Sequence, residues 1–289
     1  MGVLNVTPDS FSDGGCYITV DAAIGQALAM AAAGAAIIDV GAESTRPGSE
    51  PVPPEEQLRR SLEVIRSLRA ALPAHVTISI DTRSVAVARA ALTAGAGMLN
   101  DISAGAEAGM LQLAAEHGVP ICLMHMQGTP QTMQEAPHYV DVVAEVLAAL
   151  RERVTAAVMA GVPRAHCLID PGIGFGKTRV HNLALLAALP LFVAEGCPVL
   201  LGTSRKRFMG AICQETDPGQ LLGATCATTA LGTAAGVKVF RVHDVQANRQ
   251  AAEVAFAIAQ AGDAPPAHPV IPACAGMTMY PSVPGRGLE

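Results

Sequence analysis

Asp81, Asn100 and Asp170 are two acids and an amide that each close a short apolar run. Lys206, Arg241 and His243 are basic groups that close others. Carboxylates and an amide suit the donor-rich edge of a flat heterocycle, such as one containing an amidine. Clustered bases suit an anion, most simply a phosphate or diphosphate. A heterocycle bearing a diphosphate is therefore the ligand these residue types fit, if the fold gathers them. The glycine-rich stretch LIDPGIGFGKT, residues 168–178, invites two other readings, and both fail. A P-loop needs a glycine at position 171, which is Pro171 and has no N–H to give. The dinucleotide pattern fails because Gly172, Gly174 and Gly176 are evenly spaced by two.

The elements that must position these groups recur along the chain. Short apolar runs lie at 3–6, 36–41, 76–81, 97–102, 120–126, 166–172, 197–206 and 237–244. They are unbroken, not alternating, as in parallel strands buried on both faces. Between them lie alanine-rich stretches with helical spacing, such as 21–34 and 143–161, several of which end in glycine. Strand and helix alternating eight times predict a single α/β domain, a (β/α)8 TIM barrel, over 1–262, with a doubly wound open sheet as the weaker alternative. In such a barrel the C-terminal strand ends share the ligand-binding face. The tips would bring together Asn5, Asp39, Asp81, Asn100 with Asp101, His125, Asp170, Ser204 with Lys206, and Arg241 with His243. One strand-end aspartate is more often a helix cap than a ligand. Eight tips, almost all polar, point to a site. Long connections after the first two runs, 7–17 and 42–56, read as mobile loops that cover the mouth.

The 289 residues carry a net charge of −6, which argues against general nucleic-acid affinity. No apolar run is long enough for a membrane span, and the N-terminal stretch lacks the basic region of a signal peptide. Seven cysteines at 16, 122, 167, 197, 213, 226 and 274 show no C-x-x-C, which suits reduced thiols in the cytoplasm. Cys122 and Cys167 read as small core hydrophobes. There is no protein-caged zinc spacing and no G-x-S-x-G elbow. The first apolar run begins two residues into the chain, so a short or incompletely anchored first strand is expected. The 263–289 stretch, rich in proline and small residues, reads as a disordered or appended tail.

Eight motifs closely resemble those of the dihydropteroate synthase family, in that family's order. They are GVLNVTPDSFSDGG, DVGAESTRPG, SIDT, LNDI, MHMQGTP, DPGIGFGK, GTSRKRFMG and RVHDV. The resemblance implies joining of (7,8-dihydropterin-6-yl)methyl diphosphate to 4-aminobenzoate, giving dihydropteroate and diphosphate for folate synthesis. It implies that Asp81, Asn100, Asp170 and Lys206 hold the pterin, with Ile102 and Met124 as apolar walls. Asn5, Arg241 and His243 would hold the diphosphate, with Asn5 helping to position Mg²⁺. Phe11, Thr45, Arg46, Pro47, Phe175 and Ser204 would surround the 4-aminobenzoate. Lys177 and Thr178 are incidental to phosphate binding on this reading, with Lys177 still able to contact solvent-side groups. The resemblance also implies a homodimer built through late helices, and competition by sulfonamides for the 4-aminobenzoate site. Two alternatives share parts of the pattern: a pterin-binding methyltransferase domain, and a catalytically silent pterin- or phosphate-binding module. The first lacks the ESTRPG and SRK loops; the second would be expected to lose charged tips.

Overall fold

The structure is a computed structural model that describes residues 1–6, 19–44 and 48–263. Among the described residues eight parallel strands form: β1 (Gly2–Asn5), β2 (Ile37–Gly41), β3 (Thr77–Asp81), β4 (Met98–Asp101), β5 (Ile121–Met124), β6 (Cys167–Asp170), β7 (Leu200–Leu201) and β8 (Val239–Phe240). β1 to β6 make one continuous sheet, and β7 and β8 a second ladder. Single parallel bridges, Ile169 to Val199 and Gly2 to Val242, join the ladders at both seams. The order and alternation expected of an eight-stranded barrel are therefore present, but the strands form two separate ladders linked by single bridges, not one closed sheet. β7 and β8 are shorter than their apolar runs. One cause is Pro198, which accepts from Ile169 N at 2.9 Å but has no N–H to continue the ladder.

Helices alternate with the strands: α1 (Val20–Ala32), α2 (Pro54–Ala71), α3 (Val85–Thr93), α4 (Met110–His117), α5 (Val142–Met159), α6 (Arg179–Ala187), α7 (Leu189–Val193), α8 (Arg207–Cys213), α9 (Leu222–Ala235) and α10 (Val245–Asp263). Local chemistry sets their ends. Asp141 caps α5 by accepting from Val143 N and Ala144 N, and Thr178 caps α6 by accepting from His181 N. α2 begins with Pro54 at its first turn, followed by Glu55 and Glu56, where acids favour the helix dipole. The connection after β2 thus ends at Pro53, three residues earlier than its composition suggests.

β1 is neither shortened nor loosely held: it is as long as β4, β5 and β6 and anchored on both sides. It pairs with β2, Val3 N donates to Val242 O at 3.0 Å, and the Met1 amino group donates to Phe240 O at 3.0 Å. Residues 7–18, 45–47 and 264–289 lie outside the described residues. The expectations for Phe11, Thr45, Arg46, Pro47, the cover of the mouth and the C-terminal tail fall there.

Pairing sets which side chains look inward. Asn5, Gly41, Asp81 and Asn100 occupy one register row, and Val3, Asp39, Ser79 and Met98 the row two residues below. Because side chains alternate along a strand, both rows face the same side. Under the polar mouth, Met98, Cys122, Leu168 and Leu200 pack into a dry floor, with Met1, Ile37 and Val239 against it. Cys122 and Cys167 are fully buried, as the reading of small core hydrophobes requires. The larger core lies between the strands and the helices, around Ile38, Ile65, Leu68, Ile78, Ile80, Leu113 and Phe192. No described helix is long and apolar enough to cross a membrane.

Candidate active site

The row of strand tips holds a charge network that composition alone does not reveal. Arg241, just past β8, donates from Nε to Asp39 Oδ2 at 2.7 Å and from Nη2 to Asp81 Oδ2 at 2.8 Å. Asn100 Nδ2 donates to the same Asp39 oxygen at 3.0 Å. β2, β3, β4 and β8 are thereby tied together across the mouth. Asp39 is fully buried, and its Oδ1 has no hydrogen-bond partner. Asp39 is one of the strand-tip acids to which the sequence assigns no ligand, although an acid inside IIDVG has to find a cation or an amide. It is the hub.

Burial pushes the Asp81 carboxyl up to about 7, against the pull of Arg241 and with help from the nearby Asp39 charge. Burial also raises Asp170, opposed by Lys206, by the Gly172 N–H that donates to its Oδ1 at 2.7 Å, and by Lys177 and Arg241. The flanking Lys206 is pulled down to about 8 by burial, with Asp170 acting the other way. Two acids and a lysine are thus held where water does not stabilise their charges, a common mark of functional sites. Ile102 and Met124 are both buried, and Met124 pairs with Asp170 in the β5–β6 register. Gly41 and Gly202 leave room in this ring. A Cβ on Gly41 would lie 3.5 Å from Asn5 Oδ1, and one on Gly202 would lie 4.0 Å from Asp170 Oδ2.

The opening stretch, 168–178, is a held platform. Gly172 and Gly176 have φ of +68° and +60°, where a side chain is strained. A Cβ at Gly172 would collide with the His125 carbonyl oxygen, and one at Gly176 would sit 2.7 Å from Gln127 O. Four successive carbonyls of the turn each accept from a side chain. Ile173 O takes Lys206 Nζ, Gly174 O takes Gln134 Nε2, Phe175 O takes Lys177 Nζ and Gly176 O takes Tyr139 Oη. Gly174 N donates to Asn182 Oδ1 at 2.7 Å. A turn whose polar groups are engaged by side chains is not a phosphate cradle of open N–H groups.

Phe175 presents its ring to Lys206, whose Nζ lies 4.6 Å from the ring centroid. Residues expected around two different substrates are therefore adjacent. Ser204 and His243 are likewise in contact, Ser204 Oγ to His243 Nδ1 at 2.9 Å, and His243 N donates back to Ser204 Oγ at 3.2 Å. Asn5 ends β1 half-buried at the rim of the same row. Two tips turn away from the network. Asp101 accepts from Ser103 N, Ser103 Oγ and Gly105 N and simply shapes its own turn. His125 faces Lys177.

Lys177 is a correction. It is 3% exposed, not solvent-side, and its three donors meet His125 Nδ1 at 3.0 Å, His125 O at 3.1 Å and Phe175 O at 2.8 Å. Burial pulls the Lys177 ammonium down to about 7, with Asp170 holding it up. Burial and the neighbouring lysine hold His125 at about 3, so its ring is neutral and Nδ1 can accept. The connection after β2 is clamped at its base: Glu43 accepts from Val52 N at 3.1 Å and Arg83 Nη2 at 3.0 Å, while Gly48 N donates to Pro130 O at 3.1 Å.

A family model described as pterin binding enzyme matches residues 1–243. The dihydropteroate synthase of Mycobacterium leprae is 48% identical over 91% of this chain and 94% of its own length. That of Escherichia coli is 44% identical over 88% and 89%. The chain is a dihydropteroate synthase family member. Solved structures of the family agree in fold. Yersinia pestis dihydropteroate synthase in a sulfonamide drug complex superposes with a TM-score of 0.84 at 40% identity, covering 90% of this chain and 93% of that one. Xanthomonas albilineans dihydropteroate synthase with 4-aminobenzoic acid gives 0.83 at 47%, covering 89% and 91%.

Asp170→Asn keeps an oxygen for the Gly172 N–H but removes the buried charge. Turnover should fall by about two orders of magnitude or more, while thermal melting of the ligand-free protein stays equal or rises. Turnover within tenfold of the parent, about 1.4 kcal/mol, would remove Asp170 from the chemistry.

Proposed function

We propose that the mouth described above carries out the dihydropteroate synthase reaction as follows. The pterin ring sits on the inward row, its donor-rich edge against Asp81, Asn100 and Asp170, with Lys206 over one end and Ile102 and Met124 as walls. The observation that carries this is the convergence of two buried, high-pKa carboxylates and Asn100 on one ring. The methylene diphosphate points toward Asn5, Arg241 and His243. Departure of diphosphate leaves a delocalised cation on the pterin. A fixed carboxylate at Asp170, in a dry pocket, favours that cation more strongly than the same charge in water. The nitrogen lone pair of 4-aminobenzoate then forms the new C–N bond, between Phe175 and Ser204 on one side and Phe11, Thr45, Arg46 and Pro47 on the other, and the proton the amine sheds goes to the departed diphosphate. Excluding water protects the cation from hydrolysis.

Mg²⁺ fits the donors available. Asn5 offers one hard oxygen at the rim, and no group of three acids, histidines or cysteines that could cage a metal exists among the described residues. Such a site suits an ion that takes most of its ligands from water and substrate phosphate. When bound, Mg²⁺ neutralises charge on the departing diphosphate.

The same reading places the enzyme in the cytoplasm, where the free thiols of Cys122, Cys167, Cys197, Cys213 and Cys226 stay reduced. It takes a second copy as partner. α9 and α10 pack together and expose Leu231 at 71%, Val254 at 61% and Ile258 at 68%, apolar surface that a homodimer would cover. Sulfonamides compete at the 4-aminobenzoate side.

Diphosphate release from the pterin diphosphate should rise when 4-aminobenzoate is added, yield dihydropteroate by mass, and fall on chelation of Mg²⁺. Tight pterin binding without a coupled product would instead indicate a silent module. In sedimentation, the parent should run as a dimer and Ile258→Glu as a monomer; identical monomeric behaviour of both would end the dimer assignment.

A further inference from the structure

The glycine-rich turn between β6 and α6 is held from beneath by two residues that no substrate role accounts for. Lys177 is buried and has three N–H donors for three acceptors, all within 3.1 Å. One acceptor, Phe175 O, lies on the turn itself. The other two belong to His125, whose N–H donates to Asp170 O at 3.0 Å and so continues the pairing of β5 with β6. Lys177 therefore ties the turn to the framework at the residue bearing the aromatic ring. Tyr139, 9% exposed, donates to Gly176 O at 2.8 Å and packs edge-on against His181 of α6, with ring centroids 5.0 Å apart. These two contacts fall on consecutive carbonyls, and between them the Phe175 backbone has little freedom to rotate. The side chain that results lies under Lys206.

A buried lysine is costly unless its charge and donors are met. A turn of this length could be held by backbone bonds alone, so an ammonium spent on one carbonyl of it calls for a purpose. We propose that Lys177, with Tyr139, is a positioning residue for the second substrate, holding the Phe175 turn so that its ring presents a preformed wall to 4-aminobenzoate. The proposal rests on the assignment of Phe175 to the 4-aminobenzoate side. Neither residue touches the substrate. Preformation matters because a wall that is ordered only on binding subtracts the ordering cost from affinity. Three of the four polar pterin contacts, Asp81, Asn100 and Asp170, stand on β3, β4 and β6, whose ladders the clamp does not make, and Lys206 holds the turn through Ile173 O, not through the two clamped carbonyls, so the two substrates respond differently.

Lys177→Met keeps the length of the apolar stem and removes the three donors. It should raise KM for 4-aminobenzoate about tenfold, while calorimetric titration with pterin diphosphate and Mg²⁺ stays within about twofold of the parent. Tyr139→Phe removes a single hydroxyl and should raise the same KM about threefold, with pterin binding again unchanged. It decides the matter alone if Lys177→Met does not fold. Phe175→Ala serves as the reference. If Phe175→Ala raises KM for 4-aminobenzoate and neither clamp variant does, the clamp is wrong and the site assignment stands. Equal loss of both substrates in the clamp variants also overturns it. If Phe175→Ala leaves KM unchanged, the assignment fails and the proposal with it.

Discussion

Everything at the mouth of this barrel depends on one guanidinium. Arg241 reaches Asp39 and Asp81 from β8, and Asp39 also receives Asn100. Without a cation there, Asp39 and Asp81 would be two acids buried close together with nothing to offset their mutual repulsion. The guanidinium is itself held charged by the two carboxylates, against its own burial. Its planar fork can serve both acids at once, which a lysine ammonium cannot do with the same geometry. The network also spans the seam where β8 meets β1 by a single bridge, so the charge chemistry and the link between the two ladders share a location.

Such a site costs stability. The folded carboxyl of Asp81 lies near 7, whereas an exposed aspartate titrates at about 4. Between those values the folded protein binds more protons than the unfolded chain, so the contribution of Asp81 to stability is present below about 4 and is lost as pH rises to about 7. Asp170 acts in the same direction. A ligand that supplies N–H donors to these groups returns what burial removes. The floor of Met98, Cys122, Leu168 and Leu200 beneath them supplies the rigidity that keeps the acids in place without that ligand, while the side-chain donors around the 173–176 carbonyls hold the turn beside them.

The alternation of elements was legible in the sequence because parallel strands buried on both faces must be continuously apolar, and all eight runs became strands. The lengths of β7 and β8 were not legible, since they depend on Pro198 and on how the ring meets at its seams. Tip residues were readable as a set, because polar groups ending apolar runs stand out. Their partners were not. Asp39 lies in the middle of a run, and nothing local says that Arg241, some two hundred residues away, will find it. The burial of Lys177 was not legible for a related reason: it follows from three acceptors contributed by His125 and Phe175, two of them some fifty residues away. Asp101 illustrates the converse, a tip acid whose chemistry is spent on its own turn.

The chemistry of the mouth depends on carboxylates buried away from water, Asp81 and Asp170, whose charge burial disfavours. Carbon-13 NMR of aspartate carboxyl groups in the ligand-free protein, followed from pH 4 to 9 and assigned with Asp81→Asn and Asp170→Asn, tests this directly. Asp81 should titrate near 7 and Asp170 above the ordinary carboxylate value. Both groups titrating at about 4 would mean that water reaches them, and the electrostatic basis of the site would be gone.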